Sequence, residues 1–157
     1  MDLARKLVLG VATGGYIGYI PVAPGTFGSI VGVAVYWGLS FFQWPIILLL
    51  LLILAAFAIW TADQAEILLQ IEDPKQVVID EIVGMCAALV ALPALPLVWA
   101  AGFFLFRFFD ILKPFPIGYL EKRCPGGLGI VIDDVVAGVA ANLLLHGILL
   151  LFVPSIY

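Results

Sequence analysis

Ile130-Val131-Ile132-Asp133-Asp134-Val135-Val136-Ala137-Gly138 places two adjacent aspartates inside a long apolar segment. Asp134, Gly138 and Ala141 follow at i, i+4 and i+7, so they share one face of a helix. Small residues on that face allow a second helix to pack closely beside the carboxylate. Paired carboxylates supply the hard oxygen ligands that Mg²⁺ prefers. We therefore expect a helix that carries part of a cation site next to a close helix contact.

The composition of the whole chain predicts a membrane protein. Hydrophobic residues make up 64% of the 157 residues and charged residues only 11%, whereas a soluble domain has about 25% charged residues. The mean hydropathy is +1.21. A chain of this length is expected to form a single domain, residues 1–157. The net charge of −4 is a poor guide to partners, because a divalent cation bound by the clustered acidic residues would invert the local sign. No nucleic-acid partner is expected.

Apolar segments separated by proline-containing breaks predict an all-α, polytopic membrane helical bundle. Several segments have only about 16 residues, fewer than the roughly 20 that cross a bilayer, so we expect short spans. Residues 3–19 are predicted to form a re-entrant or amphipathic segment, and residues 125–129 a glycine-rich loop. The predicted spans are residues 26–42, 46–60 with a polar helical extension to residue 70, 77–93, 97–112 and 130–153.

The charged side chains predict how the bundle is oriented. The turns at residues 43–45 and 93–96 carry no charged side chain. The positive-inside rule therefore places the opposite, charged side in the cytoplasm. The basic residues in the connections on that side are Arg5, Lys6, Lys75, Lys113, Lys122 and Arg123.

Two constellations combine acidic residues with a helix. Asp80 and Glu81 are adjacent at the predicted start of a helix, where a role in stabilising the helix terminus is the alternative to a role as cation ligands. Arg107, Asp110 and Lys113 follow at i, i+3 and i+6. An intrahelical Arg107–Asp110 ion pair is one interpretation of this spacing. In the other, Asp110 is a metal ligand and Arg107 or Lys113 binds phosphate.

A further motif, Pro24-Gly25-Thr26-Phe27-Gly28-Ser29, combines two hydroxyls with the start of a helix. Backbone amides at a helix start bind anions, which makes Thr26 and Ser29 candidates for phosphate binding. The structural alternative is an N-cap followed by a packing face through Gly28 and Gly32.

Common phosphatase chemistries that use a nucleophilic side chain are excluded by the residues present. Cys124 is not followed by the arginine of a Cys-x5-Arg phosphate cradle, and no Asp-x-Asp pair exists that could form a phosphoaspartate. His146 is the only histidine, so a mechanism with two histidines is impossible. Hydrolysis assisted by Mg²⁺ remains, because a bound metal polarises phosphoryl oxygens and activates water.

The motifs at residues 24–29, 80–85, 107–116 and 126–138 together resemble, in order and spacing, the signature blocks of the phosphatidylglycerophosphatase A family. The resemblance implies a multi-pass enzyme of the bacterial inner membrane, with its site facing the cytoplasm. It implies Mg²⁺-dependent hydrolysis of phosphatidylglycerophosphate to phosphatidylglycerol within the bilayer. The expected metal ligands and catalytic residues are Asp80, Glu81, Asp110, Asp133 and Asp134, and the expected phosphate-binding residues are Thr26, Ser29, Arg107 and Lys113.

A cation carrier or channel and a non-catalytic scaffold are the alternatives to a phosphatase. A small cation carrier or channel would use the same carboxylates to line a path, but it should distribute polar residues through the membrane depth. Here only Asn142 and His146 lie deep in the last segment. A non-catalytic scaffold would have no reason to tolerate buried carboxylates, because an ionisable group at membrane depth costs a few kcal/mol.

The predicted orientation can be tested by labelling single cysteines in a Cys86→Ala, Cys124→Ala background. A membrane-impermeant thiol reagent should label Pro45→Cys in intact cells, and should label Lys75→Cys and Lys122→Cys only after the membrane is opened. Labelling of Lys122→Cys in sealed cells would contradict the orientation.

Overall fold

The computed structural model describes residues 3–156, and this part of the chain is all-α, as predicted. Short 3-10 turns at Ile17–Tyr19 and Pro154–Ile156 accompany the α-helices. The described helices are α1 Leu3–Ala12, α2 Pro24–Leu39, α3 Trp44–Leu69, α4 Ile79–Leu89, α5 Pro96–Leu112, α6 Ile117–Arg123 and α7 Gly126–Phe152.

Helix α4 is the centre of the bundle. Nine of its 11 residues are buried, and it packs against α2, α3, α5 and α7. Its length of about 16 Å is roughly half the thickness of a bilayer's hydrocarbon core. Carbonyl groups at a helix end that lies away from water need internal partners. Asn142 of α7 supplies them, because its Nδ2 donates to the carbonyls of Ala88 at 3.0 Å and Val90 at 2.8 Å.

Glycines set the distance between α4 and its neighbours. A Cβ atom added at Gly84 would lie 2.6 Å from the carbonyl oxygen of Asp134, and one added at Gly138 would collide with the carbonyl of Gly84. On α2, a Cβ at Gly32 would lie 2.7 Å from the Cβ of Met85. Real Cβ atoms do not approach other atoms so closely. The close packing predicted beside Asp134 is therefore confirmed.

Two helices, α3 and α7, are long and apolar enough to cross a bilayer. They have 26 and 27 residues, and only 28% of the most apolar stretch of each is buried inside the protein. A core helix of a soluble protein would be mostly buried, whereas these helices expose side chains such as Leu52, Ile53 and Leu151. This surface is consistent with the predicted membrane bundle.

One sequence expectation was wrong, because residues 126–129 are the first turn of α7 and not a loop. In this first turn, the N–H of Gly127 donates to Asp63 Oδ1 of α3 at 2.9 Å. A Cβ at Gly127 would lie 2.6 Å from the backbone nitrogen of Asp63. The glycines therefore allow α7 to start directly against α3.

The end of α4 and the presence of α6 also differ from the sequence expectation. The third segment was expected to reach residue 93, but α4 ends at Leu89, where Asn142 binds the carbonyls of Ala88 and Val90. Helix α6 was not expected, because its seven residues are too few to show an apolar period. Ile117, which is 2% exposed, anchors α6 to the core.

The α4–α7 contact can be tested with two glycines of one helix. Gly138→Ala should destabilise the protein by about 1–3 kcal/mol, because the added methyl group meets backbone that cannot move aside. Gly147 has no atom within 4 Å of its added Cβ. Gly147→Ala should therefore be neutral or stabilising by up to about 1 kcal/mol. Unfolding of the purified variants in detergent measures both, and equal effects would contradict the proposed contact.

Candidate active site

An open cavity of about 940 Å³ lies at the end of the bundle where α2, α4 and α7 begin and where α3 and α5 end. It contains all five predicted carboxylates and both predicted basic residues. Its charged lining residues are Glu66, Glu72, Asp73, Lys75, Asp80, Glu81, Arg107, Asp110, Lys113, Glu121, Lys122, Arg123, Asp133 and Asp134.

Three of the carboxylates form a cluster. One oxygen each from Asp80, Glu81 and Asp134 lies within 4.8 Å of the others. Asp80 and Asp134 are only 9% and 3% exposed. Each of the three residues has one buried oxygen without a hydrogen-bond partner among the described residues, and none forms an ion pair with a described side chain. Like charges this close destabilise one another unless a cation neutralises them.

The ion pair considered for Arg107 and Asp110 is present. Arg107 Nη1 lies 2.5 Å from Asp110 Oδ2, and the two side chains are 16% and 12% exposed. The same nitrogen is 3.4 Å from Ser29 Oγ, which links α5 to α2. Arg107 Nε is buried and has no partner among the described residues, so this arginine keeps a donor for a further acceptor.

Lys113 joins two other carboxylates. Its Nζ lies 2.7 Å from Asp133 Oδ2 on α7 and 2.8 Å from Glu121 Oε1 on α6. Burial opposes the charge of this lysine, but its hydrogen bonds to Asp133 and Glu121 outweigh burial and raise the Lys113 pKa above its usual value. Lys113 is therefore a cation throughout the physiological pH range, and one of its three N–H donors remains for a substrate.

The two hydroxyls of the Pro24–Ser29 motif are placed differently from the charged residues. Ser29 is fully buried, and its hydroxyl donates to the carbonyl of Gly25 at 2.8 Å. Neither Ser29 nor Thr26 lines the cavity, whereas Gly25 does. Gly25 packs beside the side chains of Glu81 and Arg107, and an added Cβ would lie 3.1 Å from Arg107 Nη1. The packing interpretation of the motif accounts for Gly28 and Gly32, which contact α4.

Several residues of the site were not found by sequence reasoning. Glu121 lies in a helix too short to be recognised, so nothing in the sequence marked it as a partner of Lys113. The cavity is also lined by Lys75, Lys122 and Arg123, which were considered only for orientation. Gly25 could have been recognised from the sequence, because a glycine directly after a proline at a helix start indicates a close approach of the backbone to another group.

Carboxylates that can hold a cation, next to basic groups that can hold an anion, suit the hydrolysis of a phosphate ester. The class of protein that the fold and the site define is a helical membrane phosphatase.

Comparison with known proteins specifies the family. The family described as Phosphatidylglycerophosphatase A matches residues 10–149. Phosphatidylglycerophosphatase A of Escherichia coli K12 is 34% identical over 87% of this chain and 80% of its own, and that of Haemophilus influenzae is 38% identical over 88% and 86%. The chain therefore belongs to the phosphatidylglycerophosphatase A family and is a phosphoric monoester hydrolase.

A third relative has a different name. A Bacteroides thetaiotaomicron protein, provisionally named a phosphatidylinositol-3-phosphatase, is 39% identical over 86% of this chain and 89% of its own. No solved structure matches the chain significantly.

The role of the Arg107–Asp110 pair can be tested by removing both charges. A buried ion pair is replaced as a whole at less cost in stability than it is broken by removing one partner. If the pair were only structural, the double variant Arg107→Gln, Asp110→Asn should therefore regain stability and much of the activity that each single variant loses. We expect the double variant to fold but to lose a factor of about 10² or more in kcat.

Arg123→Gln is the matched control for this experiment, since Arg123 is an exposed arginine on the rim of the same cavity. It should keep most of the activity. A double variant with near-normal kcat would show that the pair has only a structural role.

Proposed function

We propose that this protein hydrolyses phosphatidylglycerophosphate to phosphatidylglycerol and phosphate, and that the reaction depends on Mg²⁺. Family membership supports the substrate. The observation that carries the chemistry is the cluster of Asp80, Glu81 and Asp134, whose unpaired oxygens lie in the same cavity as Arg107 and Lys113.

The carboxylate cluster fits a magnesium ion. Mg²⁺ binds oxygen ligands at about 2.0–2.1 Å, so two opposite ligands lie about 4.2 Å apart. The spacing of up to 4.8 Å between the three oxygens is close to that value. Each of the three carboxylates has one buried oxygen without a hydrogen-bond partner among the described residues. Asp110 adjoins the cluster through its interaction with Asp134 and is a candidate for a fourth ligand.

The chain's own residues would hold the substrate and move the proton. Arg107 and Lys113 orient the terminal phosphate through their remaining N–H donors. A carboxylate of the cavity accepts a proton from water as its oxygen bonds to phosphorus, and the ester P–O bond breaks. The departing glycerol oxygen takes up a proton, which gives phosphatidylglycerol and inorganic phosphate. A bound Mg²⁺ would polarise the phosphoryl oxygens and stabilise the charge that develops on them.

The proposed location is the bacterial inner membrane, with several crossings and with the cavity facing the cytoplasm. All the charged side chains in residues 5–134 of the described chain belong to the helix ends and connections at the cavity end. The outward-facing turns lack charge, as the positive-inside rule requires. The lipid tails would remain in the bilayer while the head group enters the cavity.

No observation favours the alternative of a cation carrier or channel. The polar groups deeper in the bundle are engaged in the structure. Asn142 binds the end of α4, and His146 Nδ1 lies 3.1 Å from the carbonyl of Asn142. They do not extend the carboxylate cluster toward the other end.

Phosphate release from purified protein tests the proposed chemistry. EDTA should abolish turnover, and added Mg²⁺ should restore it. Asp80→Asn and Asp134→Asn should each lower kcat by a factor of about 10² or more, as expected for the loss of a group that stabilises charge in the transition state. Glu72→Gln is the control, because Glu72 is an exposed carboxylate on the cavity rim outside the cluster.

The substrates for this assay are phosphatidylglycerophosphate and phosphatidylinositol-3-phosphate with the same acyl chains. Preference for the first is expected. Undiminished release in EDTA would exclude the metal mechanism, and preference for the inositol lipid would replace the proposed substrate while leaving the metal site intact.

A further inference from the structure

An apolar groove of about 1010 Å³ runs between α2 and α5 on the surface of the bundle. On α2, it is lined by Ile30, Ala34 and Trp37, which follow at i, i+4 and i+7 and so form one stripe. On α5, Trp99 and Phe103 form a facing stripe at i and i+4. The 13 residues that line the groove are apolar except for Ser40. Such walls suit hydrocarbon and not a head group.

The groove and the catalytic cavity lie one helical turn apart on α5. Arg107 follows Phe103 by four residues on the same face of α5, which places the arginine about 6 Å farther along the helix. Arg107 also reaches α2, where Ser29 lies one residue before Ile30 of the groove. Arg107 itself lines the catalytic cavity.

The groove is about as long as the depth that one acyl chain spans in a bilayer. Along α2, it extends from Ile30 to Ser40, which is about 15 Å at 1.5 Å per residue. A hydrocarbon core of about 30 Å gives each leaflet about 15 Å. An acyl chain whose head group lies at Arg107 would therefore follow the groove over its whole length.

We propose that this groove binds an acyl chain of the lipid substrate while the phosphorylated head group occupies the catalytic cavity. This inference rests on the proposed function, because it assumes a lipid phosphomonoester as substrate. The short distance from the groove to Arg107 favours the substrate over a second copy of the protein, because a second copy would not need a groove that ends one helical turn from a proposed phosphate-binding residue.

The expected effect of the groove on catalysis is modest. Lipid tails are as apolar as the groove, so transfer of a chain from the bilayer gains little from the hydrophobic effect. The gain comes from packing and from holding the phosphate in place. Filling the groove should therefore raise KM more than it lowers kcat.

The four tryptophans provide a built-in test. Trp37 and Trp99 line the groove, whereas Trp44 and Trp60 are exposed on α3, outside it. One variant, Trp44→Phe with Trp60→Phe, keeps only the groove tryptophans. The matched variant, Trp37→Phe with Trp99→Phe, keeps only the others. Both are placed in nanodiscs in an Asp134→Asn background, so that turnover is suppressed.

The probe is phosphatidylglycerophosphate with brominated acyl chains, added at a small mole fraction and compared with phosphatidylcholine carrying the same chains. The fluorescence of the groove tryptophans should be quenched at least about twofold more strongly by the phosphorylated lipid than by the choline lipid, as a preferential site requires. The tryptophans on α3 should be quenched equally by both lipids.

Equal quenching of the groove tryptophans by both lipids would show that bulk lipid fills the groove and would overturn the proposal. Absence of quenching by either lipid would show that protein covers the groove, and a second copy would then be detected as a dimer by mass. Both outcomes are distinct from failure of the proposed function, which would appear as no phosphate release from the same lipid by the wild-type enzyme.

Ala34→Phe tests the groove by activity, since Ala34 is an exposed small residue of its wall. It should raise KM for a long-chain substrate about fivefold and leave that for a short-chain analogue unchanged. Ala56→Phe on the exposed surface of α3 is the control and should change neither. Equal KM for Ala34→Phe and Ala56→Phe would contradict the groove as a chain site.

Discussion

The close contact of α4 with α7 at Gly84 and Gly138 is the constraint on which the active site depends. Both helices begin at the cavity, so they run in the same direction from it. Asp80 lies four residues before Gly84, and Asp134 lies four residues before Gly138. The two carboxylates are therefore each one turn above the point of closest approach, on the faces that meet. The absence of Cβ atoms at the crossing is what allows the acidic residues to share one cluster.

That packing creates an electrostatic cost that the protein relieves only in part. Asp110 is paired with Arg107, and Asp133 with Lys113. No such basic partner contacts the cluster of Asp80, Glu81 and Asp134 in the described residues. A buried carboxylate without a counterion is strongly destabilising. The carboxylates of the cluster thus differ from Asp110 and Asp133 in having no ion-pair partner among the described residues.

Much of the fold could be predicted from the sequence because apolar segments and proline breaks are local signals. The helix ending at Leu112 and the long helix through Asp63 were predicted within a few residues. The first turn of α7 was assigned to a loop because a glycine cluster has the same appearance in a turn and in a tight helix contact. Only the position of Asp63, 64 residues away in sequence, distinguishes the two.

The candidate site residues could be found as residue types, but their pairing could not be read from the sequence. Spacing on one helix indicated the pairing of Arg107 with Asp110. The partners of Lys113 come from α6 and α7 and depend on how those helices pack. For the same reason, the sequence predicted Thr26 and Ser29 for the phosphate site, whereas neither of them lines the cavity and Gly25 does.

Metal binding by the carboxylate cluster is tested most directly by thermal unfolding with and without Mg²⁺. A cation that binds only the folded state stabilises it by about 2.7 kcal/mol at 100 times its Kd. Mg²⁺ should therefore raise the Tm of the wild-type protein, and this shift should be lost in the Asp80→Asn, Asp134→Asn double variant. That variant should also be the more stable of the two in EDTA, because the repulsion within the cluster is relieved. An equal Mg²⁺ shift in both proteins, or none in the wild type, would contradict the account.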